Sequence, residues 1–147
     1  MKPIASLRLA LAVAAAMILA GCGSDSASYL IDGPNLSLTL LREKPYFWSK
    51  NWELVLVATR RPDCMRRHDL KPAADSGFKL EVFRTLEGGY ILKQGDNWYV
   101  TELRQCRLQA FPSRPTEPGD AVGAFEVKDG RLQFAALATR EAPVPRP

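Results

Sequence analysis

The sequence predicts an all-β fold: one small antiparallel domain of about seven or eight strands, built as a sandwich or a small open barrel. Three observations carry this. Leu36, Leu38 and Leu40 alternate with Ser37 and Thr39, and Phe78, Leu80 and Val82 alternate with Lys79 and Glu81, the period of strands with one buried face. Asp129-Gly130 sits between two further apolar-polar runs. No long stretch shows a helical period, and no internal repeat is present.

Along the chain, Pro34 and Pro45 bound the first alternating run. Tyr46-Phe47-Trp48 and Trp52 then flank the turn-like Ser49-Lys50-Asn51. Core or rim packing is the ordinary role of such aromatics, and a binding platform is the alternative. Residues 53–59 are apolar on both faces, as in a central strand covered on each side. Residues 60–71 break the pattern, with Pro62 and Asp63 as turn formers, and are expected to be a loop.

From Phe78 a three-strand meander is expected. Gly88-Gly89 offers a tight turn before Tyr90-Ile91-Leu92, and Gly95-Asp96 a second before Trp98-Tyr99-Val100-Thr101. Residues 106–111 are expected to continue or extend the third strand. Pro112, Pro115, Pro118 and Gly119 make the next segment an irregular loop. A type I′ turn at Asp129-Gly130 then pairs Val127 with Leu132 and Phe125 with Phe134, both pairs on one face. Pro143, Pro145 and Pro147 predict an extended tail over residues 141–147.

The N-terminus is a different object. Lys2 and Arg8 precede an apolar block at residues 9–20 that ends in Leu19-Ala20-Gly21-Cys22. A basic region, a short apolar region and small residues form the layout of a secretory signal. The block is too short for a membrane-spanning helix, which needs about 20 apolar residues. The four residues fill every position of a lipobox, so the segment resembles the signal peptide of bacterial lipoproteins. That resemblance implies cleavage before Cys22, a diacylglycerol on its thiol and an acyl chain such as palmitate on its amine. Two or more chains hold a protein stably on a membrane. In such proteins an aspartate after the cysteine retains the product in the inner membrane; Gly23 here implies the periplasmic face of the outer membrane of a Gram-negative envelope.

The expected organisation is therefore a signal peptide at 1–21, a short tether at 22–28, the β domain at 29–140 and the tail at 141–147. The precursor's 147 residues less 21 leave 126, the size of one ordinary domain. Without Lys2 and Arg8 the 20 basic residues fall to 18, against 16 acidic ones, so net charge gives little long-range steering toward nucleic acid or membrane. With Cys22 assigned to lipid, Cys64 and Cys106 are the remaining thiols, and in an oxidising compartment a disulfide is expected of them. It closes a loop of about 43 residues, which the chain-entropy account values at about 4 kcal/mol.

Signals of catalysis are weak. His68 stands four residues after Cys64, but a bridged Cys64 excludes a Cys-His pair, and Cys64, His68 and Cys106 lack the spacing of a zinc site. His68 is expected to be a solvated loop residue. The sequence carries no phosphate-cradling loop, nucleophile elbow or H-E-x-x-H, so neither an enzyme nor a cofactor is expected. Arg60, Arg61, Arg66 and Arg67 flank Cys64 and form a candidate anion-binding group. They could meet lipid head groups, cell-wall carboxylates or an acidic partner, or be solvated and paired to Asp63 and Asp69. Two functional classes stand: a non-catalytic binding or assembly lipoprotein with an envelope protein or cell-wall component as partner, and an inhibitor of a cell-wall hydrolase. The second is similar to periplasmic lysozyme-inhibitor lipoproteins, but Gly88-Gly89-Tyr90 matches their Ser-Gly-x-x-Tyr segment only in part. Nucleic acid is not an expected partner in the periplasm.

Overall fold

A computed structural model describes residues 23–74 and 77–138. The signal peptide, Cys22 and the tail at 141–147 lie outside these residues. Among the described residues are eleven strands: β1 (Ser24–Asp32), β2 (Leu36–Glu43), β3 (Asn51–Arg60), β4 (Cys64–Asp69), β5 (Ala73–Ala74), β6 (Lys79–Arg84), β7 (Tyr90–Gln94), β8 (Asn97–Glu102), β9 (Arg107–Phe111), β10 (Asp120–Lys128) and β11 (Arg131–Ala136). They form two antiparallel sheets. One runs β1-β2-β3-β4, with β5 added to β3; the other runs β11-β10-β6-β7-β8-β9.

The architecture is a β-sandwich. Alternation places Leu38 and Leu40 of β2 and Leu54 and Leu56 of β3 against Leu80, Val82, Leu92 and Phe125 of the second sheet, all essentially without solvent exposure. Burying each such side chain is worth about 1.5–3 kcal/mol. β3 is central in its sheet as expected, with Leu54, Leu56 and Ala58 fully covered on the inner face, while on the outer face Val55 and Val57 are half-buried and Thr59 is buried. The last hairpin has the expected register, Phe125 opposite Phe134 and Val127 opposite Leu132. Asp129 and Gly130 both take positive φ, 52° and 75°, as a type I′ turn requires.

Three elements differ from the sequence-based expectation. β1 starts at Ser24, so residues 24–28 are strand and not tether; Asp25 and Ala27 face inward opposite Arg42 and Leu40. Residues 64–69 are not a loop but β4, paired with β3 from Arg60 opposite Cys64 to Val55 opposite Asp69. Residues 106–111 do not extend β8. The chain reverses at residues 103–106, and β9 returns beside β8 with Thr101 opposite Leu108.

The registers define two ends. At the near end lie Gly23, the loop at 44–50 and the turns Gly95-Asp96 and Asp129-Gly130. At the far end lie the turns at 61–63, 85–89 and 103–106. β3 spans the distance between the ends, about 30 Å at ~3.3 Å per residue.

Candidate functional site

The far end carries an open cleft of about 1330 Å³. It forms where the chain leaves edge strand β9, crosses the sheet through residues 112–119 and enters β10 on the other side of β6. Thr116, Glu117 and Pro118 of that crossing share the cleft with Ile91 and Val100. Gly119 is required at its end. A Cβ there would stand 2.2 Å from the Arg84 carbonyl oxygen, and its φ of 96° disfavours other residues.

The cleft is charged with both signs. Arg60, Arg84 and Arg104 share its walls with Glu87, Glu102, Glu117 and Asp120. Two apolar side chains also reach it, Leu86 at 97% exposure on the 85–89 turn and Phe111 at 37%. That turn is held by Thr85, whose amide donates to the Gly89 carbonyl at 2.9 Å and whose Oγ1 accepts from the Gly89 amide at 3.0 Å.

The four arginines expected to recognise anions do not converge. Arg60 pairs with Asp63 at 3.2 Å, both side chains well exposed, so the pair adds little stability. Arg66 and Arg67 are consecutive on β4, so they point to opposite faces of the sheet, both exposed. Arg60 and Arg61 stand at the end of β3 farthest from Gly23. Gly23 is therefore about 30 Å along the sheet from Arg60 and Arg61, while Arg66 and Arg67, opposite Ala58 and Val57, stand nearer the middle of β3.

Cys64 and Cys106 are bonded, with Cα atoms 5.9 Å apart. The bridge ties β4 to the 103–106 turn. His68 is half-buried rather than solvated, and its Nε2 donates to the Cys106 carbonyl oxygen at 2.7 Å. The turn itself is capped by Glu102, whose carboxylate accepts from the Arg104 and Gln105 amides at 2.8 and 3.1 Å. Among the described residues no three His, Cys, Asp or Glu side chains are grouped to hold a metal ion.

At the diagonal corner a polar knot joins the sheets. The Arg42 guanidinium donates to both carboxylate oxygens of Asp25 and to the Gly130 carbonyl at 2.8 Å. The Leu132 amide donates to the same carboxylate at 2.7 Å. Arg42 is 6% exposed, with its guanidinium 4.2 Å from the Trp52 ring centre. Burial acts to raise the Asp25 pKa, but the Arg42 and Leu132 hydrogen bonds and the Arg42 charge outweigh it, and the net shift is downward. Nothing in the local sequence marks these residues as partners, because the knot joins the β1–β2 hairpin to the β10–β11 hairpin.

Gly88-Gly89-Tyr90 does not present its tyrosine. Tyr90 is 2% exposed and lies edge-on to Tyr29 at 5.9 Å. Burial first, and then Tyr29, push its phenol above the ordinary value. The exposed aromatics are elsewhere: Tyr46, Phe47 and Trp48 are 56%, 72% and 65% exposed on the near-end loop. They are not core residues, which corrects the core half of the expectation of core or rim packing; Trp52 alone of that group turns inward, packed partly against the core.

Comparison with protein-family models, with curated proteins and with solved structures yields no match. The fold and the sites above therefore carry the functional argument.

Proposed function

We propose that this chain is a lipid-anchored envelope lipoprotein, held at Cys22 on the periplasmic face of the outer membrane. Its β-sandwich serves there as a non-catalytic module that binds or assembles with a protein partner. The observation that carries the reading is the far-end cleft. It lies at the opposite end of the sheets from Gly23, the residue that follows the lipobox. A domain held at Cys22 thus presents this cleft away from the bilayer. Exposed Leu86 and Phe111 among charges of both signs suit a polypeptide surface better than a small anion.

Two variants of the full-length chain test the reading. Cys22→Ser should abolish incorporation of labelled palmitate and release the chain from membranes; retained label and outer-membrane sedimentation would exclude the anchor. Leu86→Arg with Arg104→Glu should leave membrane attachment intact and remove a cross-linked partner from solubilised envelopes. A cross-linking pattern identical to wild type would exclude the cleft.

A further inference from the structure

We infer that the loop at 44–50 is a membrane-docking tip, and that Tyr46, Phe47 and Trp48 enter the lipid interface beside the anchor. The inference rests on lipidation of Cys22. The three rings are consecutive, more than half exposed, and already ordered among themselves. Tyr46 stacks on Trp48 at 4.8 Å with the planes 9° apart, and Phe47 meets Trp48 edge-on at 4.7 Å. Trp52, by contrast, packs partly against the core and is not part of the exposed cluster. Arg42 and Lys44 lie over the Trp52 ring, at 4.2 and 5.1 Å from its centre.

The position of the tip selects the occupant. The Lys44 amide donates to the Gly23 carbonyl at 2.9 Å, and a Cβ on Gly23 would stand 2.9 Å from the Trp52 ring. Cys22 is thus one peptide bond from a residue that touches the base of the aromatic loop. β1 begins at Ser24, so no slack separates the anchor from the sheet. Acyl chains on Cys22 bring this end of the sandwich to the bilayer and leave the loop nowhere else to face. Tyr and Trp favour the head-group level, where the ring is shielded and its polar atom stays wet. Lys50, exposed at the end of the loop, can reach the phosphate layer while its stem lies along the apolar surface. The tip orients the domain and turns the far-end cleft toward the periplasm.

Reconstitution of the full-length lipoprotein into phosphatidylethanolamine–phosphatidylglycerol vesicles tests this, with acyl-brominated lipid as a quencher from within and iodide as one from water. The difference between wild type and Trp48→Phe isolates the Trp48 emission. Bromine should lower that emission roughly twofold while iodide leaves it nearly unchanged. Mass analysis of the N-terminal peptide reads lipidation separately. An unmodified Cys22 overturns the anchor and the docking together. A lipidated Cys22 with Trp48 open to iodide overturns the docking alone. Shielding from both quenchers means that a second copy or another protein covers the tip, and it also overturns the docking.

Discussion

Where β1 meets the β10–β11 hairpin, the sheets are joined by Asp25, Arg42 and two backbone groups. At the diagonally opposite corner, β4 is joined to the 103–106 turn by the Cys64–Cys106 bond and by His68. Both corners bring together segments remote in the chain, 107 positions apart for Asp25 and Leu132 and 42 for the cysteines. Their physics differs. The disulfide constrains the unfolded chain and carries no titratable group. The polar corner works only in the folded state, through a desolvated cation whose donors must all be met. Each corner also braces a different end of the sandwich. The polar knot braces the end that carries Gly23 and the aromatic tip, and the disulfide braces the end that carries the cleft.

The comparison breaks most sharply on reduction. A Cys64→Ser/Cys106→Ser variant should lose about 4 kcal/mol of unfolding free energy, read from urea titration. Reductant should then have no further effect on it. Cleft-dependent cross-linking should fall with it, since the 103–106 turn supplies Leu103 and Arg104 to the cleft wall. A variant as stable as wild type would mean that the corner holds without the bond.

Arg42→Met comes next, with an expected loss of about 2–3 kcal/mol. Breaking a fully buried pair costs about 3–5 kcal/mol, and the Asp25 side chain, 28% exposed, recovers part of this through water. Arg42→Lys should be nearly as damaging, because an ammonium lacks the planar fork that reaches two carboxylate oxygens and a carbonyl together. Full stability in the lysine variant would reduce the knot to simple charge pairing.

What the sequence revealed follows the same division. Strands with a fully buried face were legible, because Leu38, Leu40, Leu80 and Val82 alternate with polar neighbours. The Asp-Gly turn fixed its own register. The strands that escaped are edges: β1, β4 and β9 stand at the margins of their sheets. Edge strands with polar residues resist pairing with other chains, and for that reason Cys64–Asp69, with its two arginines and histidine, reads as a loop. The 103–106 turn was hidden for another reason. It contains no Gly, Pro, Asn or Asp; Cys106 itself takes φ 55° and Glu102 caps the amides. The disulfide was legible from the cysteine count together with the oxidising compartment that the lipobox resemblance implied. The polar knot was not, because nothing in the order of residues couples Asp25 to Arg42 and Gly130.

Acid should separate the corners. The Asp25 pKa is depressed in the folded chain, so its contribution is complete above the unfolded value near ~4 and is lost as pH falls through the lower folded value. The stability difference between wild type and Asp25→Asn should therefore be constant near neutrality and shrink toward zero as pH falls below about 4. The corresponding difference for the cysteine variant should stay level across that range. A gap for Asp25→Asn that does not close in acid would place its origin in packing and not in charge.

The smallest expected effect lies in the covalent corner and asks whether its two links are independent. His68→Phe keeps a ring between β4 and the turn but removes the donor to the Cys106 carbonyl. One hydrogen bond at a half-buried site is worth about 1 kcal/mol, and the oxidised protein should lose that much. The informative measurement is the same substitution in the Cys64→Ser/Cys106→Ser background. If the disulfide holds the turn where His68 can reach it, the second loss falls to nearly nothing, a coupling close to 1 kcal/mol between contacting groups. Equal losses in both backgrounds would show that the Glu102 cap positions the turn without the bond. In that case reduction would loosen β4 while leaving the 103–106 side of the cleft in place.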